Sequence, residues 1–261
     1  MSRDFRGRGA GMLSLTMEKN MVYGFNPVLE AVRSGRAVKV FVSTGRKQGL
    51  EGLFDEAEAA GVPVERVPAQ FFERLPKGHQ SVAARVREKK LADIGEMLES
   101  ASRKGELPLL VALDGVEDPR NLGAIMRSAL AAGAHGIIVQ KHRSAALGPE
   151  AYKASAGAAE FLPVSVCSNI KYALDELRDK GLLVAGAEAG GRMRPWDADL
   201  AVPLVLVMGG EDTGLRDVVA KRCDCILSLP LMGRISSLNV SVSAGVFLFE
   251  ILRQRMSKKP K

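Results

Sequence analysis

The sequence predicts an α/β protein in two domains, and three features carry that prediction. From Val22 onward, strand-like apolar runs alternate with helical stripes. The run "LPLLVALDGV", residues 107–116, is apolar almost throughout, as suits a strand of a parallel sheet buried on both faces. Before it, "EKKLADIGEMLESASRKGELP" reads as a polar amphipathic helix closing on Lys, Gly and Pro, the composition of a linker. The expected domains are therefore a tail over 1–20, a small α/β unit over 21–90, a linker over 91–106 and a larger α/β domain over 107–261.

The bulk numbers narrow the class. A chain of 261 residues with 46% hydrophobic and 26% charged residues has the composition of a folded domain pair. No apolar run approaches the ~18 residues of a membrane span, and no signal peptide precedes the fold, so a cytoplasmic protein without a membrane partner is expected. Cys167, Cys223 and Cys225 are too few for a disulfide framework or a four-ligand zinc site and are expected to be buried small residues. His79, His135 and His142 have no ligand spacing, so no metal is expected. The net charge of +7 fits a polyanionic partner. Residues 1–105 hold 18 Lys and Arg against 13 Asp and Glu, a net of +5, which makes the front of the chain its more basic part.

The elements follow in order. Residues 1–20, rich in Gly, Arg and Ser without periodicity, are expected to be a disordered tail, and Met12, Met17 and Met21 offer alternative starts. "NPVLEAVRSG" sets Val28, Leu29 and Val32 on one helical stripe and ends at Gly35 as a cap. "VKVFVS" is a strand, "GLEGLFDEAEAAG" a helix, "VPVERVP" a short strand, "QFFERLP" a helical turn and "SVAARVR" a strand. After the linker come "LPLLVALDGV", "NLGAIMRSALAAG", "HGIIVQ", "IKYALDELRDKG", "LLVAGAEA", "PLVLVMGGE", "LRDVVAKRC", "CILSLPL" and a C-terminal helix, an alternation that gives a parallel sheet with helices on both faces. A ligand is then expected at the C-terminal ends of the strands.

Two nucleotide sites fail on residues. The first turn of the second domain reads "DGVEDPRNLGA", with Gly115 and Gly123 too far apart for G-x-G-x-x-G, and no G-x-x-x-x-G-K-[ST] occurs. Three other stretches stand at strand-to-helix junctions. In "DPRNLGAIMRSALAAGA", Leu122, Ile125, Met126, Ala129 and Leu130 form the apolar stripe, Arg127 points away from it, and Asn121 is a candidate N-cap. In "VLVMGGEDTGL", a buried strand runs through Met208 into Gly209 and Gly210, where a backbone can approach a ligand closely, and then Glu211. The third, "LSLPLMGRISSLN", runs into "MGRISSLNVSVSAGVFLFE". That segment is apolar on nearly every face from Val240 to Leu252, as in a helix buried on all sides, yet begins with Ser236, Ser237, Asn239, Ser241 and Ser243. Ser236 or Ser237 would cap the helix.

Taken together, "NLGAIMRSA", "VMGGEDTGL" and "ISSLNVSVSAG" resemble the three motifs of the SpoU branch of the SPOUT superfamily, and they cover the second domain in the family's order. "YGFNPVLEAVRSG" and "GHQSVAARV" resemble the N-terminal unit of its ribosomal-RNA members, similar to ribosomal protein L30e. The resemblance implies a deep trefoil knot in the second domain, S-adenosylmethionine as cofactor and 2′-O-methylation of RNA ribose. It also implies a homodimer, with "VFLFEILRQR" a candidate interface element that core packing would equally explain. By position it implies that Gly209, Leu229 and Leu238 give backbone contacts to the cofactor. Met208 and Gly210 flank the first of these, and Ser237 and Asn239 supply the polar side of the pocket. Arg127 is implied as the residue acting on the 2′-OH, with Asn121, Glu211, Ser237 and Asn239 ordering the site. The two-domain architecture favours large-subunit (23S) ribosomal RNA, and the resemblance implies a guanosine as the modified nucleotide. A transfer-RNA enzyme of the same family and a non-catalytic RNA-binding, ribosome-associated protein are the alternatives.

Overall fold

The computed structural model describes residues 20–191, 193–211 and 213–258; the expected tail lies outside them except at Asn20. The chain divides into two compact units, residues 1–89 and 90–261.

The first unit is a four-stranded sheet with two helices. Its order is β1 (Met21–Tyr23), α1 (Phe25–Arg33), β2 (Ala37–Ser43), α2 (Glu51–Ala59), β3 (Val64–Val67), a 3-10 segment (Ala69–Arg74) and β4 (Val82–Val86). The strands lie in the order β1-β4-β2-β3, with β2 and β3 parallel and the other pairs antiparallel. Met21, Tyr23, Phe41, Val67, Phe72 and Ala83 form a buried cluster. Gly35 ends α1 in the left-handed conformation, φ +72°, donating its N–H to the Val32 carbonyl at 3.0 Å. Three-residue β1 was not visible in the pattern, being too short to show alternation.

The second unit carries a six-stranded sheet, parallel throughout, in the spatial order β10 (Cys225–Leu227), β8 (Leu183–Ala187), β9 (Leu204–Gly209), β5 (Leu109–Asp114), β6 (Gly136–Gln140) and β7 (Val164–Cys167). Along the chain run α3 (Ile94–Arg103), β5 (Leu109–Asp114), α4 (Pro119–Ala131), β6 (Gly136–Gln140), α5 (Pro149–Ala154), α6 (Ala158–Phe161), β7 (Val164–Cys167), α7 (Ile170–Asp179) and β8 (Leu183–Ala187). Then follow a 3-10 turn (Pro195–Asp197), β9 (Leu204–Gly209), α8 (Asp217–Ala220), β10 (Cys225–Leu227) and α9 (Val240–Lys258). β5 and β9 are neighbours whose connections leave in opposite directions, β5 through α4 to β6 and β9 through α8 to β10. That is a topological switch point, and the crevice outside the carboxyl ends of two such strands is where ligands bind in open α/β sheets.

The segment expected as a linker, 91–106, contributes α3 to the second unit. Asp93 accepts from the Glu96 N–H at 2.8 Å while Glu96 reaches back to the Asp93 N–H at 3.2 Å, a capping box. Met97 and Ala101 are wholly buried, and a methyl on Gly136 would lie 2.2 Å from Met97 Sδ. Glycine is therefore required at the start of β6 for α3 to pack there, and the buried methionine contributes roughly 1.5–3 kcal/mol.

The C-terminal helix departs from expectation. α9 buries Val240, Ala244, Phe247, Leu248 and Ile251, but Val242, Val246, Phe249 and Met256 are 44–66% exposed on another face. Apolar side chains on nearly every face thus give one packed face and one open one. The inner end of α9 is tied to the sheet: Arg255 donates to the carbonyls of Leu107, Pro108 and Val202 at 2.6–2.9 Å, and Gln254 donates to Pro195 O and accepts from the Leu200 N–H.

Candidate functional site

The switch point gathers three of the sequence stretches. α4 starts beyond β5, and Asp118, rather than Asn121, caps it: the Asp118 carboxylate accepts from the Arg120 N–H at 2.7 Å, and Pro119 fills the first helical position. Asn121 is left inside the first turn with its side chain free for other work. Its Nδ2 donates to Glu211 Oε1 at 2.6 Å, and its Oδ1 accepts from Asn239 Nδ2 at 3.1 Å. Asn239 caps α9 in place of Ser236 or Ser237, its Oδ1 accepting from the N–H groups of Ser241 at 2.9 Å and Val242 at 3.4 Å and from the Ser241 hydroxyl at 2.6 Å. Those donors fix the Asn239 amide with Nδ2 toward Asn121. Asn121 must then turn its own Nδ2 toward the carboxylate. The direction of every bond in the relay follows from the helix end.

Glu211 is held by a folded-back loop. Gly210 and Gly214 exchange two backbone hydrogen bonds of 3.1 Å with Glu211 at the turn. A Cβ on Gly209 would sit 2.2 Å from Gly214 C, and one on Gly210 would sit 2.5 Å from Gly115 O. The close approach that demands these glycines is made by the protein's own backbone. Gly123 has a similar packing reason, since a Cβ there would meet Ala151 O at 2.4 Å, which brings α4 against α5.

Arg216 secures the far end of the same loop. Its Nε donates to Asp114 Oδ1 at 2.7 Å, its N–H to Asp114 Oδ2 at 3.1 Å and its Nη2 to Gln140 Oε1 at 2.7 Å, with the Asp114 carboxylate completely buried at the end of β5. Asp114, Gln140 and Arg216 escaped the sequence reading; the available signal was an acidic residue closing an otherwise apolar strand.

Arg127 is exposed on α4 and makes no hydrogen bond or ion pair with a described residue. Ser237 is likewise exposed and stands outside the relay. Gly209 and Met208 end β9 and are buried, as is Gly210 just beyond it, while Leu229 and Leu238 are half-buried. Register pairs Ala187 of β8 with both Met208 and Leu227, so Gly209 and the residues leading into Leu229 leave the sheet at one edge. Between Leu229 and Leu238 the chain exposes Met232 and Ile235, apolar surface suited to covering an aromatic ligand. Gly209 closes β9, Leu229 stands two residues beyond β10 and Leu238 two residues before α9, with exposed apolar side chains at Met232 and Ile235 on the connecting loop, a set compatible with S-adenosylmethionine.

Nucleophilic cysteine chemistry has no support here. The three cysteines are free and half-buried rather than buried; burial pushes the Cys223 thiol up to about 12, and it also raises Cys167 and Cys225. Among the described residues no cluster of His, Cys, Asp or Glu could hold a metal ion, and no helix is long and apolar enough to cross a membrane.

Residues 108–249 match the SpoU rRNA Methylase family, and residues 21–92 match the RNA 2′-O ribose methyltransferase substrate binding family. The chain belongs to the SpoU family. The SpoU chain is 35% identical over 244 residues to YacO of Bacillus subtilis, named for the TrmH family of tRNA/rRNA methyltransferases, covering 92% of this chain and 98% of that one. It is 42% identical over 246 residues to a tRNA/rRNA methyltransferase of Mycolicibacterium paratuberculosis described as uncharacterized, covering 92% and 79%. Among solved structures, the SpoU methyltransferase AviRb of Streptomyces viridochromogenes in complex with AdoMet superposes with TM-score 0.79 at 25% identity, covering 98% of this chain and 100% of that one. An AdoMet-bound rRNA methyltransferase of Sinorhizobium meliloti superposes with TM-score 0.69 at 25% identity, covering 94% and 90%. A structure described for 2-OH methylation of C/U34 on tRNA covers 57% of this chain and 97% of its own, with TM-score 0.53 at 26% identity. The protein is accordingly an RNA methyltransferase of SpoU type.

Proposed function

We propose that this protein methylates the ribose 2′-OH of a guanosine in large-subunit (23S) ribosomal RNA, using S-adenosylmethionine, as a cytoplasmic homodimer. The observation that carries the catalytic part is the Glu211–Asn121–Asn239 relay, which joins residues of all three motifs at the switch point. The AviRb and Sinorhizobium complexes with AdoMet support the cofactor, and the position of Gly209 and Leu229 at and just beyond the carboxyl ends of β9 and β10, with Leu238 just before α9, supports its place. Met208, Gly210, Ser237 and Asn239 would complete that place. When bound, S-adenosylmethionine supplies an electrophilic methyl group.

The protein's own task is to make a weak nucleophile react. A ribose hydroxyl gains from losing its proton, but a guanidinium does not serve as the base because it stays protonated. Arg127, without an acidic partner and exposed on α4, holds the RNA phosphate and ribose; the proton passes to that phosphate or to water. The relay orders the other side of the site. The start of α9 fixes Asn239, Asn239 orients Asn121, and Asn121 donates to Glu211.

Ribosomal RNA is favoured over transfer RNA because this chain carries a substrate-binding unit over 21–92, and the structure described for tRNA matches only 57% of the chain. The exposed Val242, Val246, Phe249 and Met256 face of α9 supports the homodimer. The knot implied by the family is supported by the return of α9 from edge strand β10 to carbonyls at the starts of the central strands β5 and β9.

Arg127→Ala and Arg127→Lys test the mechanism. Single-turnover rates should fall sharply in both, because lysine lacks the planar fork that grips a phosphate in two places, while calorimetry should find cofactor affinity little changed. Near-normal chemistry in Arg127→Ala would remove Arg127 from the mechanism.

A further inference from the structure

We infer that a slot in the second unit, over β6 and β7 between α4 and loop 141–147, takes the base of one unpaired nucleotide beside the methylated one, with its phosphate on Lys141 and Arg143. The inference rests on the RNA-methyltransferase reading for the identity of the polyanion; the location and the demand for a free base come from the geometry.

The slot is apolar and open. Leu122 and Met126 of α4, Val139 of β6 and Val166 of β7 line a cavity of about 230 Å³ together with Leu91 and Leu147. Leu91 and Val166 are 50% and 40% exposed, so the cavity opens to solvent along the edge strand instead of closing within the core. A volume below the roughly 300–1,000 Å³ of sites for drug-sized molecules suits one flat ring system. The same helix, α4, carries Asn121 and Arg127, which suits a nucleotide next to the target.

The mouth of the slot is cationic and pinned to the switch point. The Lys141 N–H donates to Cys167 O at 2.9 Å and the Ala145 N–H to Val116 O at 2.8 Å, so the segment between them runs from the end of β7 to the β5–α4 connection. Gln140, just before it, accepts from Arg216, which holds Asp114. Between the two pins Arg143 is left-handed, φ 56°, a conformation that is uncommon outside glycine and gathers at ligand clamps. The charge there is uncommitted: Lys141, His142 and Arg143 are exposed, and none of their side chains bonds a described residue. Elsewhere in the unit Arg120 pairs with Asp118, and Arg178 and Arg222 pair with Asp175. The Ser144 hydroxyl makes only a 3.4 Å bond to Ala145 O and keeps its lone pairs for a base edge. Apolar walls with cations at the mouth fit a flat group that carries its negative charge at one end, as a nucleotide does. A paired A-form helix keeps its bases stacked, so the slot selects an unpaired one.

The test is fluorescence anisotropy on the full chain with a labelled single-stranded RNA of about 12 nucleotides, mixed in sequence, and with an abasic ribose-phosphate strand of the same length. Val166→Phe fills the slot from an exposed position on the edge strand. It should weaken binding of the RNA about tenfold, the loss of one stacked base, and leave the abasic strand unchanged. Ala146→Phe, from the exposed opposite rim, repeats the block if Val166→Phe melts lower than the wild type. Arg143→Gly removes a charge and relieves the left-handed strain, so its thermal midpoint should not fall; it should weaken both strands and lower the salt slope by about one. Wild-type affinity for the RNA in the folded slot-filling variant, or an unchanged salt slope in Arg143→Gly, would overturn the slot. Slot-dependent binding by a chain that methylates no RNA would instead refute the proposed activity and leave the slot standing.

Discussion

Asn239 Nδ2 donates to Asn121 Oδ1 at 3.1 Å, joining residues 118 apart in the chain, and the same Asn121 amide donates to Glu211 at 2.6 Å. The relay therefore has a direction, running from the amide groups at the start of α9 to a carboxylate at the turn of the β9–α8 loop.

That direction can be tested by swapping chemistry. Asn121→Ala should slow methyl transfer about 10²-fold by releasing both neighbours. Asn121→Asp should be worse, because it sets a second carboxylate against Glu211 and removes the donor. Adding Glu211→Gln to Asn121→Asp restores a donor and an acceptor in the right order, so the double variant should melt higher and turn over faster than Asn121→Asp alone. A double variant no better than the single one would show that the three residues are not coupled.

The brace under the loop should matter to stability. Asp114 is buried with its carboxylate on Arg216, and removing one member of such a pair costs about 3–5 kcal/mol; part-exposure of the Arg216 side chain puts Asp114→Ala at the lower end. Urea unfolding followed by a probe in the second unit measures this. A cost under about 1 kcal/mol would mean that the pair is worth no more than a surface ion pair.

A buried histidine gives the fold a pH dependence. His135 accepts the Leu109 N–H on Nδ1 at 3.2 Å, which places its proton on Nε2 facing Glu106 at 3.0 Å. Burial lowers its pKa; Glu106 opposes that, and Lys104 and Arg255 reinforce it. The neutral form is favoured in the folded state, so its contribution is present above the unfolded value near 6.5 and is lost as pH falls through the lower folded value. Thermal midpoints of the wild type should drop more between pH about 7.5 and 5 than those of His135→Gln. Parallel curves for the two proteins would contradict this.

Where the sequence was legible, periodicity and burial agreed. β5 is buried at every position, and α4 buries Leu122, Ile125, Met126 and Ala129 of its expected stripe, with Leu130 half-buried. α5 and α6 went unseen because they are helices of six and four residues, shorter than any window that shows a period, and β7 was hidden because only its first two residues are buried. Segment 91–106 was misread since a helix with one buried face and a Gly-Pro exit has a linker's composition. Asn121 was misassigned as a cap because Asp118 and Pro119, three and two residues earlier, define the helix start more strongly. The site's residue types were legible from the motifs. Their wiring was not: the relay and the Asp114–Arg216 brace join helix starts, a turn and a strand end distant in sequence, which only the sheet order brings together.

The most direct test of the central claim is methyl transfer from S-adenosylmethionine labelled in the methyl group to purified ribosomal RNA and, separately, to transfer RNA, followed by alkaline hydrolysis. A 2′-O-methyl group blocks cleavage of its own phosphodiester. The account predicts label in large-subunit ribosomal RNA, recovered in an alkali-resistant dinucleotide that begins with guanosine. Label only in transfer RNA, label released in mononucleotides as a base methylation would give, or no transfer to any RNA would contradict it.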